Sequence, residues 1–252
     1  MKNFFKSYWK TLLFFAAVGL VGGFAIGLYL LDTYPADIVA QIEAQGITPT
    51  LLGLITAVQS AAYGAVLGAA GIWLGKKTGL WRDERSITRK PLLLTAAVSV
   101  IGGLALILPD VFFFGKHIGA IAESYAVKPT VPYLVATVTY GAVIEEIMMR
   151  LFCMSLIAFL LWKLFARKQE KPSAGILMAA NVISALLFAA GHLPTTFLTI
   201  GATPMIILRC FLLNGVFGLA FGWLYRKYGL RYAMMAHGGC HIISKLIWIL
   251  FL

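Results

Sequence analysis

Two adjacent glutamates and an arginine lie inside a long apolar stretch of the sequence. They are Glu145, Glu146 and Arg150 in TYGAVIEEIMMRLFCMSLIAFLL. Charged side chains of this kind cost about 2.5–3.5 kcal/mol at the centre of a membrane helix on insertion scales. Ionisable residues inside a membrane mark proton relays, ion pathways or reaction centres, and carboxylates can also act as general acids or bases. These three residues are therefore the first candidates for a functional site.

The spacing of the three charges predicts different roles for the two glutamates. Glu146 and Arg150 are four residues apart with the acid toward the N-terminus, which favours an ion pair on one helix face. Glu145 is rotated by about 100° from Glu146 on a regular α-helix. It is therefore the freer carboxylate and the candidate general base. The alternative interpretation is a structural cluster of charges that locks helices together.

Three of the four histidines lie in two short apolar segments that carry the same spacing. Phe188 and His192 are four residues apart in FAAGHLP, where Pro194 is typical of a helix end. His237 and His241 are four residues apart in MMAHGGCHIIS and share a helix face, and the two glycines between them permit close helix approach. A lone histidine on an apolar helix is more often a hydrogen-bonded packing residue. A second histidine on the same face favours a polar site.

The composition identifies the elements that must position these residues. Of the 252 residues 60% are hydrophobic and 12% are charged, and the mean hydropathy is +0.87. A soluble domain has about 45–50% apolar and about 25% charged residues, so the sequence predicts an integral membrane protein. The net charge of +11 comes from short basic clusters between apolar segments, which indicates contact with anionic lipid headgroups rather than with nucleic acid.

Seven apolar segments approach the length of about 20 residues that a membrane-spanning helix needs. The sequence predicts an all-α, polytopic membrane helix bundle of about seven transmembrane helices with a polar intramembrane site. The segment at 110–131, between the third and fourth, could lie in the membrane interface. The predicted spans are 11–31, 51–75, 91–109, 132–166, 175–193, 204–225 and 232–252.

The charges of the loops predict the orientation of these spans. With a cytoplasmic N-terminus, 16 of the 21 lysines and arginines lie on the cytoplasmic side, in agreement with the positive-inside rule. The second cytoplasmic loop is the most basic, with Lys76, Lys77, Arg82, Arg85, Arg89 and Lys90. Counting from the loops also predicts that Glu145 and His192 lie toward the outer side while His237 lies nearer the inner side. A kink at Gly238–Gly239 would be one way to bring them together.

The three motifs together resemble the signature of a known family of intramembrane endopeptidases. They are similar to those of the CAAX protease and bacteriocin-processing (CPBP, or Abi) family, which includes the type II CAAX prenyl proteases. The pattern of that family is EExxxR, FxxxH and HxxxN, in this order. Here the motifs are Glu145-Glu146-x-x-x-Arg150, Phe188-x-x-x-His192 and His237-x-x-x-His241. The resemblance divides the chain into N-terminal membrane helices at 1–110, which carry no motif, and a protease-like core at 111–252.

The resemblance implies a role for each motif residue in peptide hydrolysis without a cofactor. Glu145 would activate a water molecule with help from His192, and His237 would bind the developing oxyanion. Glu146 and Arg150 would be the supporting pair. The usual asparagine is replaced by His241, whose N–H can also donate to an oxyanion.

A zinc site is the alternative that the histidines leave open. His192, His237, His241 and Glu145 form a possible set of three histidines and one carboxylate, although the sequence has no H-E-x-x-H helix.

The resemblance also implies partners and location. The short chain resembles prokaryotic members, so we expect a multi-pass protein of a prokaryotic cell membrane that acts on a peptide or protein in or near the bilayer. A bacteriocin-immunity or scaffold protein without proteolytic activity is the first rival. A transporter that uses the carboxylates as a relay is the second, although no inverted repeat is visible in the sequence.

Overall fold

The computed structural model describes residues 2–83 and 86–252, and in these ranges every regular element is a helix. Helix accounts for 86% of the structure. The α-helices of the described ranges are α1 (Lys2–Thr33), α2 (Ala36–Ala44), α3 (Pro49–Ala62), α4 (Gly68–Thr78), α5 (Arg89–Pro109), α6 (Gly115–His117), α7 (Gly119–Ala126), α8 (Val131–Ala136), α9 (Ser155–Phe165), α10 (Ala174–Gly191), α11 (Leu193–Thr199), α12 (Pro204–Cys210), α13 (Val216–Tyr228) and α14 (Leu230–Phe251).

Stretches of π-helix join several of these α-helices without interrupting the path of the chain. In a π-helix each N–H bonds to the carbonyl five residues earlier, so the turn is wider than in an α-helix. Two of the stretches fill the centre of the fourth apolar segment, on either side of Glu146, where the sequence predicted a regular α-helix. The π-helical stretches are Tyr63–Leu67, Asp110–Phe114, Thr137–Glu145, Ile147–Met154 and Phe211–Gly215.

Seven helical segments of the described chain are long and apolar enough to cross a membrane, which confirms the predicted fold class. The protein is an integral, multi-pass membrane protein. Most of the helices extend beyond the predicted spans because the polar residues at their ends continue the helical hydrogen bonding. In chain order the spans are Asn3–Thr33, Pro49–Thr78, Arg89–His117, Val131–Phe165, Ala174–Thr199, Pro204–Tyr228 and Leu230–Phe251.

A small polar cluster ties the loop after the second span back to the first helix. The hydroxyl of Tyr8 donates to the carboxylate of Asp83 over 2.8 Å, and the indole N–H of Trp81 donates to the same oxygen over 2.8 Å. Burial alone would raise the pKa of the Asp83 carboxyl, but these hydrogen bonds outweigh it and hold the pKa below its ordinary value. Arg85, counted among the basic residues of this loop, lies outside the described residues.

Close helix contacts form the frame around the site. A methyl group at Gly23 would overlap the backbone oxygen of Thr56, so α1 and α3 pack backbone to backbone. The predicted close approach at the glycines of the seventh span is also present, because a methyl group at Gly239 would overlap the side chain of Ser99 in α5. The seventh span is one continuous helix from Leu230 to Phe251, without a break at Gly238–Gly239.

A second buried ion pair joins the third and sixth spans away from the motif residues. Arg209 donates from Nε to Asp110 over 2.6 Å and from Nη2 over 2.5 Å, so the contact is two-pronged. Tyr125 also donates to Asp110, over 3.0 Å. Burial raises the pKa of the Tyr125 phenol, and the Asp110 carboxylate raises it further. The charge of Arg209 inside the sixth span is thus paired with an acid.

Candidate active site

The predicted ion pair of the first motif is present and fully buried. Nη1 of Arg150 lies 3.2 Å from Oε1 of Glu146, and the two side chains are 1% and 0% exposed. The guanidinium also stacks over the rings of Phe188 at 4.5 Å and Phe221 at 5.5 Å. Because a buried charge needs a partner, these contacts fix the position of the Glu146 side chain.

Glu146 in turn holds the first histidine of the seventh span. Nδ1 of His237 lies 2.9 Å from Oε1 of Glu146, and Nε2 of His237 lies 4.0 Å from Oε2 of Glu145. His237 is therefore at the same depth as both glutamates, and the predicted mismatch in depth is wrong. Depth was counted along the chain from the loops, but the fourth span has 35 residues and the seventh only 22, so equal counts do not give equal depths.

The contacts of His237 decide which of its nitrogens carries the proton when the ring is neutral. A carboxylate can only accept, so the Nδ1–H of His237 donates to Glu146, and the neutral ring keeps a lone pair on Nε2. Nε2 of His241 lies 3.2 Å from that atom, which makes His241 the donor between the two rings. Phe221 stacks on His237 with a centroid distance of 4.7 Å and an interplanar angle of 20°. The carboxylate, the second imidazole and the phenyl ring together fix the plane of His237.

His192 lies at the point where α10 ends. Its Nδ1 is 2.8 Å from the carbonyl oxygen of Phe188, which can only accept, so Nδ1 carries the proton. The neutral ring then offers its Nε2 lone pair to a ligand. The two rings of the FxxxH motif also touch, with centroids 4.7 Å apart, as their shared face predicts. Pro194 marks the end of α10 as expected, and the chain then continues as the short helix α11.

The freer glutamate and the three histidines line one cavity of about 580 Å³. Glu145 is 21% exposed, whereas Glu146 and Arg150 lie behind the wall. The structure thus brings all six predicted residues together and divides them into a group that faces the cavity (Glu145, His192, His237, His241) and a buried pair that supports it. Such a cavity can hold water and part of a substrate beside a carboxylate.

The sequence did not indicate several residues of the cavity wall. Tyr140 lies five residues before Glu145, a spacing that turns two side chains apart on an α-helix but toward each other on the π-helix found here. Phe221 and Phe217, from the sixth span, belong to no motif and are apolar residues in an apolar segment. Only a sequence repeat longer than that of an α-helix in the motif segment could have indicated that Tyr140 shares a face with Glu145.

Two asparagines within the spans differ in their contacts. Asn181 is buried and donates to the backbone oxygen of Leu219 over 3.1 Å, a hydrogen bond between the fifth and sixth spans. The amide of Asn214 instead donates to the backbone oxygen of Cys210, one turn earlier in the same span, over 2.9 Å. A side chain can satisfy itself on its own helix where the preceding turn presents a free acceptor. Asn214 also lines the cavity.

A zinc site would require several of these side chains to converge on one ion. Within residues 2–83 and 86–252 no group of three or more histidine, cysteine, aspartate or glutamate side chains is arranged to hold a metal ion. The possible set of His192, His237, His241 and Glu145 stays a prediction.

Comparison with known proteins finds a family that resembles the region that carries these residues. Residues 127–243 match the family model described as type II CAAX prenyl endopeptidase Rce1-like. This part of the chain is similar to the Rce1-like family. The resemblance seen in the three motifs is thereby confirmed, and the matched range contains all six candidate residues. A search of curated proteins and a search of solved structures gave no match.

The Rce1-like region covers only part of the cavity. The first three spans precede the matched residues, yet α1 and α3 contribute Tyr29 and Gln59 to the cavity wall. The division into 1–110 and 111–252 stays a prediction. The match supports a CAAX-protease-like protein at the family level, and a family match does not by itself fix the chemistry of the site.

Proposed function

We propose that the protein is an intramembrane endopeptidase that hydrolyses peptide bonds of membrane-associated proteins or peptides with a water molecule activated by glutamate and histidine. The observation that carries the proposal is the position of Glu145. It is the one motif carboxylate that reaches the cavity, and it faces three histidines whose ring orientations are fixed. Partly exposed carboxylates beside oriented imidazoles are suited to general base catalysis.

The first step is the attack of water on the scissile carbonyl. Glu145 removes a proton from a water molecule that also donates to the Nε2 lone pair of His192. The new bond joins the water oxygen to the carbonyl carbon, and the carbonyl oxygen becomes an oxyanion. The C–N bond then breaks, and the proton held by Glu145 passes to the leaving amine. The buried ion pair of Glu146 and Arg150 keeps its charges throughout.

The oxyanion requires an N–H donor, and the hydrogen bonds limit which atom can supply it. A neutral His237 already donates its Nδ1–H to Glu146 and has no second N–H. The donor is therefore the Nε2–H of His241, now directed at His237, or the second N–H of a doubly protonated His237. Each donor of this kind is worth about 2.7–4 kcal/mol in acyl-transfer enzymes.

The setting of the reaction follows from the charge pattern. We propose that the N-terminus is cytoplasmic, since the basic loops then lie on the side that the positive-inside rule requires. The bilayer of a prokaryotic cell membrane is the proposed environment, a membrane peptide or protein is the substrate, and nucleic acid has no part. Zinc dependence and a non-proteolytic immunity or scaffold role are the outcomes that the experiments below would reveal.

Comparative analysis of protein termini tests the proposal. A host strain that lacks the protein is complemented with wild type or with Glu145→Gln, at matched levels in the membrane. New termini that require wild type and disappear with Glu145→Gln are the expected result. Identical termini in both strains would contradict proteolysis, and a phenotype rescued equally by both would indicate a scaffold or immunity protein.

A pair of substitutions at one position tests the oxyanion donor. His241→Asn keeps an N–H donor and restores the pattern that the resemblance describes, so we expect most of the cleavage to remain. His241→Leu removes the donor at similar volume and should lower the cleavage rate by about 10²–10³-fold. Equal rates for the two variants would exclude a donor role for His241.

A further inference from the structure

The first two spans contribute several hydrogen-bonding groups to the wall of the cavity. Tyr29 and Tyr34 come from α1 and the residue just after it, and Thr56 and Gln59 come from α3. All four residues lie outside the Rce1-like match. The proposed hydrolysis does not use any of them.

This wall is held rigidly against the fourth span. Tyr29 stacks on Tyr133 with a centroid distance of 4.5 Å and an interplanar angle of 27°. A methyl group at Gly22 would lie only 2.7 Å from the backbone nitrogen of Tyr140, so α1 lies directly on the π-helix that leads to Glu145. The position of the wall relative to Glu145 is therefore fixed by packing and not by a loop.

Gln59 is oriented by its neighbour one turn later. Its amide nitrogen donates to the hydroxyl of Tyr63 over 2.7 Å. This bond leaves a second N–H and the carbonyl oxygen of the same amide for a ligand. An amide that offers both a donor and an acceptor is complementary to the N–H and C=O groups of a peptide backbone.

Another part of the cavity wall is apolar. Leu187, Leu213 and Phe217 present apolar surface from the fifth and sixth spans. The cavity thus combines hydrogen-bonding groups from the first two spans with this apolar wall, and Glu145 and the three histidines line the same cavity.

A peptide that is cleaved inside a membrane needs such a polar wall. The scissile segment must be extended to reach Glu145, and an extended chain loses its own helical hydrogen bonds. Each unsatisfied backbone N–H or C=O costs several kcal/mol in hydrocarbon. Partners other than Glu145 and the histidines are required, because those groups are engaged in the reaction.

We propose that Tyr29, Tyr34 and Gln59 form a subsite that hydrogen-bonds an extended substrate segment and selects a polar side chain on one side of the scissile bond. The apolar wall accepts the residues on the other side. This inference rests on the proposed function, since it describes how the same cavity holds the polypeptide. It gives the first two spans, which carry no motif, the role of setting specificity.

Photo-crosslinking tests whether a polypeptide lies on this wall. The photoreactive residue p-benzoylphenylalanine is placed at position 34 in the full-length Glu145→Gln protein, where its ring replaces the phenol. The matched control is position 51, which is 41% exposed in the first turn of α3 and does not line the cavity. We expect polypeptide adducts at 34 that exceed those at 51 several-fold. Equal adducts at the two positions would overturn the inference.

The sequences around the new protein termini then test whether the subsite selects a polar side chain of the substrate. We expect Gln59→Leu to lower the cleavage rate about two- to tenfold, which corresponds to the loss of one neutral hydrogen bond. At one fixed position relative to the scissile bond, the cleaved sequences should then contain apolar residues more often than with wild type. Val58→Ala, on the lipid-facing side of α3, is the matched control and should cleave as wild type does.

The outcomes of this experiment separate the two proposals. Wild-type termini that do not depend on Glu145 would refute the proposed function and the subsite with it. Glu145-dependent termini with an unchanged rate and site preference in Gln59→Leu would refute the subsite alone. Equal thermal stability of Gln59→Leu and wild type in detergent excludes misfolding as the cause of a lower rate.

Discussion

Replacing Arg150 by methionine separates the charge of the buried pair from its volume. The arginine side chain is 1% exposed, lies 3.2 Å from Glu146 and stacks over Phe188 at 4.5 Å. Methionine keeps an unbranched side chain against the aromatic ring and makes favourable sulfur–aromatic contacts. The principal loss in Arg150→Met is therefore the positive charge beside a fully buried carboxylate.

The magnitude follows from the burial of both partners. Removing one partner of a buried ion pair costs about 3–5 kcal/mol because the other charge remains uncompensated. For a chain of 150–250 residues, 1 kcal/mol shifts the melting temperature by about 2–4 °C. We therefore expect Arg150→Met to lower the melting temperature by about 6–20 °C.

The assay is thermal unfolding in detergent of four proteins: wild type, Arg150→Met, Glu146→Gln and the double variant. The glutamine keeps an acceptor for the Nδ1–H of His237, so the double variant should recover most of the lost stability. A melting temperature of Arg150→Met within 2 °C of wild type would refute the reasoning. A double variant whose loss of stability equals the sum of the losses in the two single variants would also refute it.

Three further substitutions or treatments give independent predictions. Gly222→Ala should destabilise the protein by about 1–3 kcal/mol, because the new methyl group overlaps the side chain of Asn181. The methyl group of Gly175→Ala makes only an ordinary van der Waals contact with Ser173, so this variant should not destabilise the protein in the same unfolding assay. Asp110→Asn should cost about 1.5–3 kcal/mol in thermal unfolding, since Arg209 loses a charged hydrogen-bond partner. Treatment with 1,10-phenanthroline should leave Glu145-dependent cleavage unchanged in isolated membranes, and inhibition reversed by zinc would support the metalloprotease alternative.

The sequence predicted the number of spans and the motif contacts because both depend on local patterns. Apolar length alone determines which segments can cross a membrane. The ion pair of Glu146 and Arg150 and the contact of Phe188 with His192 join residues four apart on one helix. Such contacts persist wherever the chain is helical, even in the widened fourth span.

The sequence could not predict contacts that depend on how helices are placed relative to one another. The hydrogen bond from His237 to Glu146 joins residues 91 positions apart, and counting residues from the loops gave the wrong depth for it. The polar wall of Tyr29 and Gln59 depends on the packing of α1 and α3 against the fourth span. The π-helix also changed which residues share a face with Glu145, and no local signal marked it.

The most direct test of the central claim is the turnover of a purified substrate by the purified protein in proteoliposomes. A peptide that spans a cleavage site found in the membrane is incubated with wild type or with Glu145→Gln, and the initial rates are compared. The loss of a general base should lower the rate by about 10²–10⁴-fold at unchanged thermal stability. A Glu145→Gln protein that cleaves the peptide at the wild-type rate would contradict the assignment of Glu145 as the residue that activates water.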